Sequence, residues 1–164
     1  MEDSIFEEIY RETARPLWSY ISRISGSRTA TDDILQETYL RFLRSPFKGG
    51  DLKEAKPYLY KIATNLVYKR FHQIKRQNET EESILSETSG EMAAAPDGFR
   101  ERIEMTQVFS RLKEQERALL WLAHVEGYEH REIARILKLN SLSVRVLLYR
   151  ARRKLAQLLK IEKN

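Results

Sequence analysis

Almost every segment of this chain repeats its apolar residues at spacings of three and four, and no convincing stretch alternates apolar with polar. That periodicity restricts the fold to packed helices, because side chains on a strand change face at every residue. Ile5, Ile9, Leu17, Ile21 and Ile24 give one or two helices at the start, with Pro16 as a kink or a start. After the break "GSRTATDD", Thr31 is expected to cap a helix from about Asp32 to Leu43, with Asp32 and Asp33 in its first turn. Ile34, Leu35, Tyr39, Phe42 and Leu43 form its apolar set, and "SPFKGGD" ends it. A further helix is expected from Pro57 to about Lys75, with Leu59, Ile62, Ala63, Leu66 and Phe71 inward. Pro57 suits a first turn, where a missing N–H costs nothing.

Residues 77–99 are acidic, rich in Ser and Thr and poor in large apolar groups. Such a composition does not bury enough surface to offset the entropy of ordering. They read as a flexible linker, with a short helical turn at "SILSE". The expected fold class is therefore all-α, with two small helical domains, 1–76 and 100–164, on either side of it.

Composition narrows the function. With 41% apolar and 32% charged residues the chain suits a soluble protein, and no apolar run is long enough to cross a bilayer. The acidic start "MEDSIFEEIYRE" lacks the layout of a signal peptide, so a cytoplasmic location without membrane insertion is expected. The absence of cysteine removes disulfides, thiolate metal sites and cysteine nucleophiles. The net charge of +5 is unevenly spread. Residues 77–99 carry Glu79, Glu81, Glu82, Glu87, Glu91 and Asp97 without a Lys or Arg. From Ser141 onward, Arg145, Arg150, Arg152, Arg153, Lys154, Lys160 and Lys163 oppose Glu162 alone. A basic helix suits phosphate binding, since each neutralised phosphate releases counterions.

That basic stretch completes a helix-turn-helix pattern, "YEHREIARILKLNSLSVRVLLYRARRKL". Ile133, Ala134 and Leu137 form the inner face of the first helix, and Leu139 plugs the turn. Lys138 stands where a left-handed residue is needed, at a cost of about 1–2 kcal/mol for a non-glycine. Asn140 or Ser141 caps the second helix, whose Val144, Leu148, Ala151 and Leu155 return to the core. Opposite lie Leu142, Ser143, Val146, Tyr149, Arg150 and Arg153, with Arg145 and Arg152 flanking. The start of a recognition helix normally meets base edges. Leu142 and Val146 are able to touch a thymine methyl but not to hydrogen-bond an edge, so weak direct readout is expected.

Three motifs in order resemble the bacterial RNA polymerase sigma factors of the extracytoplasmic-function group, which keep only the second and fourth conserved regions. "TDDILQETYLRFLRSPF" resembles the polymerase-binding helix of region two. "KPYLYKIATNLVYKRFHQIKR" resembles its promoter-melting helix, and "LKEQERALLWLAHVEGYEHREIARILKLNSLSVRVLLYRARRKL" resembles region four. The resemblance implies a transcription initiation factor without catalytic chemistry, metal or cofactor. Its partners would be core RNA polymerase, through the β′ clamp helices and the β flap, together with promoter DNA and an anti-sigma factor.

The residues themselves support each role. Asp33, Gln36, Glu37 and Leu40 share one side of a helix, and acids with an amide suit a basic docking surface. Basic residues that track phosphate, interleaved with aromatics that stack on unpaired bases, are what single-strand binding needs. Tyr58, Lys61, Lys69 and Arg70 supply that mixture, and Tyr60 is the expected core member. By resemblance, Phe47 and Asn65 would line a pocket for a flipped −10 base, at a cost of a few kcal/mol. At the −35 end, Ser141, Ser143, Arg145, Tyr149, Arg150, Arg152 and Arg153 would face DNA. Val146 and Leu147 depart from the small polar and basic pair common in the family. Relaxed −35 recognition is therefore expected, with recruitment by an upstream DNA-bound activator or an RNA-guided DNA-binding protein docking on Leu142, Val146 and Leu147. The alternative, a free-standing helix-turn-helix regulator, leaves the acidic and the aromatic–basic helices unexplained. A nuclease finds no ligand spacing in His72, His124 and His130.

Overall fold

The computed structural model describes residues 1–47, 49–80 and 99–163, and among them it contains helices and no strands. The elements are α1 (Asp3–Ser25), α2 (Arg28–Arg44), α3 (Leu52–Thr80), α4 (Phe99–Ser110), α5 (Glu114–His124), α6 (His130–Leu137) and α7 (Ser141–Lys163). The first three pack on one another, as do α5, α6 and α7 with α4 added against α7. The two groups also touch, α6 lying on α3 and α5 on α1. The expected turn at "SILSE" and most of the 77–99 stretch lie outside the described residues.

In the first group, Ile9, Leu17, Ile21 and Ile24 of α1 meet Ile34 and Phe42 of α2 and Leu59, Ala63 and Val67 of α3. Each large apolar side chain removed from water contributes about 1.5–3 kcal/mol. Four of the buried polar side chains satisfy one another in pairs. Thr64 donates its hydroxyl to the Tyr60 carbonyl at 2.6 Å, which leaves its oxygen to accept from the Tyr20 hydroxyl at 2.7 Å. Thr13 and Tyr39 repeat the arrangement at 2.7 Å, with Thr13 donating to the Ile9 carbonyl. Burial raises the Tyr39 phenol to about 12, so it stays a neutral donor.

Of the alternatives for the first segment, the structure has a single α1 with Pro16 inside it. Three expectations about these helices are corrected. The N-cap of α2 is Ser27, whose side chain accepts the Ala30 N–H at 3.2 Å; Thr31 is buried in the first turn and donates to the Ser27 carbonyl at 2.6 Å. Asp32 and Asp33 lie beyond the first turn, because α2 begins at Arg28, and Asp32 accepts the Trp18 indole N–H at 2.9 Å and ties α2 to α1. Pro57 is interior to α3, which starts at Leu52 and continues to Thr80. A proline there has no N–H for the Lys53 carbonyl, so the helix tolerates a lost bond in exchange for burial of Ala55 and Leu59 on either side.

The helix-turn-helix agrees closely with its pattern. Ile133, Ala134, Leu137, Val144, Leu148 and Ala151 are buried. Lys138 adopts φ 56° and ψ 48°, the left-handed C-cap that lets α6 stop and α7 turn across it. The Asn140 carboxamide oxygen accepts the Leu142 N–H at 3.0 Å, so Asn140 is the cap of α7.

Candidate nucleic-acid and polymerase interfaces

On α2, Asp33, Gln36 and Leu40 are exposed and Glu37 is half-buried, all on the side turned from the core. Glu37 holds Arg41 by an ion pair of 3.0 Å one turn later. Leu43 was expected to point inward; it is 48% exposed, close to the 46% of Leu40. At 100° per residue, Leu43 falls beside Gln36 and Leu40, so the face combines carboxylates with two solvent-facing leucines. A helical wheel placing Leu43 with Gln36 and Leu40 would have revealed it.

The aromatic residues at the junction of α2 and α3 form a packed group. Phe47 stacks on Tyr58 with ring centroids 5.5 Å apart and planes 23° apart, and it tilts against Phe42 at 5.2 Å. Both Phe47 and Tyr58 keep part of their surface in solvent. Asn65 and Lys69 are exposed on the same helix, and Lys61 and Arg70 are half-buried. Tyr60 is wholly buried, as expected. Burial and the Glu126 carboxylate that accepts its hydroxyl push its phenol far up, so it is a hydrogen-bond donor and not a base.

On α7, Ser141, Leu142, Ser143, Arg145, Val146, Tyr149, Arg150, Arg152 and Arg153 are all exposed. Leu142 is 77% exposed and Val146 48%. Leu147 is the correction: it is half-buried and packs against the core beside Leu148, one residue around the helix from Val146. Val146, Tyr149, Arg150, Arg153, Lys154 and Gln157 line an open groove of about 700 Å³. Gln157 extends that face beyond the residues the sequence pattern singled out. Arg152 is turned toward α5, its Nε–H donating to His124 Nε2 at 2.9 Å, and Lys154 pairs with Glu116 at 3.0 Å, so these two of the basic set are engaged within the protein itself.

This arrangement, an acidic–apolar helix, an aromatic–basic helix and a basic helix-turn-helix on one chain, has counterparts among known proteins. The Sigma-70 region 2 family model matches residues 9–77 and the Sigma-70 region 4 model matches residues 102–155, together most of the chain. The ECF RNA polymerase sigma factor SigL of Mycobacterium tuberculosis is 26% identical over 81% of this chain and 76% of its own length. SigM of Bacillus subtilis, another ECF sigma factor, is 22% identical over 93% of each. The fold is that of the sigma factor RpoE from Bartonella quintana, solved in complex with the anti-sigma factor NepR. The TM-score is 0.82 and identity 19%, covering 95% of this chain and 97% of that one. The chain belongs to the sigma-70 family of RNA polymerase sigma factors, in its extracytoplasmic-function group. Members of this group bind core RNA polymerase and promoter DNA and direct transcription initiation; they are not themselves catalysts. Among the described residues no helix is long and apolar enough to cross a membrane, and no cluster of His, Asp and Glu is disposed to hold a metal.

Proposed function

We propose that residues 1–76 bind polymerase and open the −10 element, that 77–99 link, and that 100–164 grip the −35 region with little sequence preference. The factor works in the cytoplasm beside its polymerase. Asp33, Gln36, Glu37, Leu40 and Leu43 dock on the β′ clamp helices, and the second domain meets the β flap. Phe47, Tyr58 and Asn65 receive an unpaired −10 base while Lys61, Lys69 and Arg70 follow the phosphates. A stacked pair that is already packed costs little ordering when a base adds to it.

The observation that carries the −35 reading is the 77% exposure of Leu142 at the start of the recognition helix. Behind it Arg145, Arg150 and Arg153 hold phosphates, which fix position without reading sequence. An upstream DNA-bound or RNA-guided partner docking on Leu142 and Val146 supplies the missing selectivity, and Leu147 supports that patch from beneath. An anti-sigma factor is the expected antagonist. A free-standing regulator would leave residues 9–77 without a role.

Run-off transcription by core polymerase plus this protein, on templates with randomised −35 and −10 segments, tests the reading. Selection of the −10 with little at the −35 is expected. Val146→Ser with Leu147→Arg should raise factor-only transcription from a conventional −35; no change would sink the claim of weakened readout.

A further inference from the structure

A carboxylate stands beside the stacked Phe47 and Tyr58. At about 100° per residue, Glu54, Tyr58, Lys61, Asn65 and Lys69 fall within an arc of about 80° and form one stripe along α3. Lys56 lies on the other side of the helix, where its Nζ pairs with Glu126 at 3.1 Å. Glu54 precedes Tyr58 by about one turn, or about 6 Å along the axis at about 1.5 Å per residue. Gly49, on the chain entering α3, approaches both groups. A Cβ built on it would lie 2.8 Å from Glu54 Oε2 and 3.1 Å from Phe47 Cζ. The glycine therefore keeps a notch open between the carboxylate and the edge of the ring.

The helix does not need Glu54 as its cap. Asp51 fills that role: its Oδ1 accepts the Lys53 N–H at 3.0 Å, and its carbonyl accepts those of Glu54 and Ala55 at 3.1 and 3.0 Å. Glu54 is exposed, and among the described residues its carboxylate has no hydrogen-bond or ion-pair partner. Its charge favours the first turn of a helix, but it does so whichever way the side chain points. On a stripe that follows phosphates, a carboxylate weakens binding to every sequence unless a base supplies a donor.

The Watson–Crick edges of unpaired bases differ in what they offer an anion. Guanine presents N1–H and an N2–H side by side, a match to the two oxygens of a carboxylate. Adenine sets its N6–H beside the N1 lone pair, and cytosine sets its N4–H beside the N3 lone pair. Thymine has a lone N3–H between two carbonyl oxygens. Three of the four bases thus bring an acceptor against the charge.

We propose that Glu54 sets specificity within the −10 element by accepting N1–H and N2–H of an unpaired guanine whose ring lies against Phe47, in the notch kept by Gly49. The inference rests on the assignment of this face of α3 to unpaired −10 bases. Asn65 stands about 10 Å beyond Tyr58, or about three stacked steps of about 3.4 Å. The stripe therefore holds a short run of bases, and Glu54 reads the one at its Phe47 end.

The test gives core polymerase and the full-length factor a library of promoters randomised in the −10 element, and the transcribed sequences are counted. The parent should enrich guanine about tenfold at one −10 position, the discrimination of one bidentate pair. Glu54→Gln offers one acceptor and one donor, so guanine enrichment there should fall below about twofold while selection at the other −10 positions persists. Gly49 is outside the left-handed region, so Gly49→Ala fills the notch without backbone strain and should also lower the enrichment. Guanine enrichment that survives either substitution would overturn the role of Glu54. So would a loss of equal size on all four bases in Glu54→Gln, which would assign the carboxylate to the helix end alone. A parent that selects −10 bases but guanine at none of them would remove the guanine contact and leave the assignment of α3 standing. Absence of any −10 selection would sink both.

Discussion

The two helices assigned to DNA treat their large side chains in opposite ways. On α3 the aromatic residues are built in: Tyr60 is wholly buried, and Tyr58 is stacked on Phe47, which leans on Phe42. On α7 the apolar residues Leu142, Val146 and Tyr149 stand in water with no role in the core. A side chain that packs and is also needed for binding is constrained twice, whereas one that only waits for a partner is constrained by that partner alone. Under the proposed assignment, the first domain is preorganised for one kind of ligand, unpaired bases beside phosphate. The second would offer phosphate contacts and an apolar patch whose occupant the fold does not determine.

The largest test of that contrast compares two leucines on α7. Leu148 is fully buried, and Leu148→Ala should cost about 2–5 kcal/mol in urea unfolding and remove the helix-turn-helix. Leu142→Ala should change stability by less than about 0.5 kcal/mol. If Leu142→Ala destabilised the chain as Leu148→Ala does, the patch would be part of the core and the contrast would collapse.

A second test compares what each helix reads. Phe47→Ala or Asn65→Ala should weaken promoter opening by about 1–3 kcal/mol, followed by permanganate reactivity of the melted bases, and Asn65→Ala should relax −10 selection. Arg153→Gln should weaken binding about equally on all −35 sequences and reduce the salt slope by about 0.9. Sequence-dependent loss from Arg153→Gln would show that α7 reads more than phosphate.

The helices themselves were legible because burial repeats with the period of the helix. Ile133, Leu137, Val144 and Leu148 needed no knowledge of the rest of the chain, nor did the cap at Asn140. What was hidden depended on a choice between equivalent local options or on distant contacts. Ser27 and Thr31 are both good caps by type, and the three-dimensional path of the chain before α2 decides for Ser27. Leu43 and Leu147 sit at the margins of apolar stripes, where a rotation of a few tens of degrees exchanges inside for outside. Asp32 reads as a first-turn acid because its partner, Trp18, is on another helix. Glu126 carried no signal, since Lys56 and Tyr60 are distant in sequence. The candidate interfaces on α2 and α7 were visible as periodic sets, while the coupling between domains was not.

Lys138 sharpens the comparison at the joint that sets the angle of α7. It is the described non-glycine residue with a positive φ, 56°. Lys138→Gly removes the steric penalty of a Cβ in the left-handed region and should stabilise the chain by about 1 kcal/mol in urea unfolding. A loss of stability instead would mean that the lysine side chain makes a contribution larger than its backbone strain.

The smallest effect concerns the tie between α5 and α7. Burial raises the Glu116 carboxyl, but the Lys113 N–H at 2.8 Å and the Lys154 ammonium at 3.0 Å outweigh it and hold the group below its ordinary value of 4.5. A carboxylate depressed in the folded state binds fewer protons there than in the unfolded chain. Its stabilisation is therefore present above the ordinary carboxylate range and is lost as the pH falls through the lower, folded value. Both partners are partly exposed, so water and salt screen the pair and the effect is modest. Glu116→Gln should lower stability at neutral pH and make the acid side of the stability profile shallower, with the two chains converging below pH 4.5. Parallel profiles over that range would show that Lys154 holds α7 to α5 without help from the charge on Glu116. The register of the basic face would then rest on the buried Val144, Leu148 and Ala151 alone.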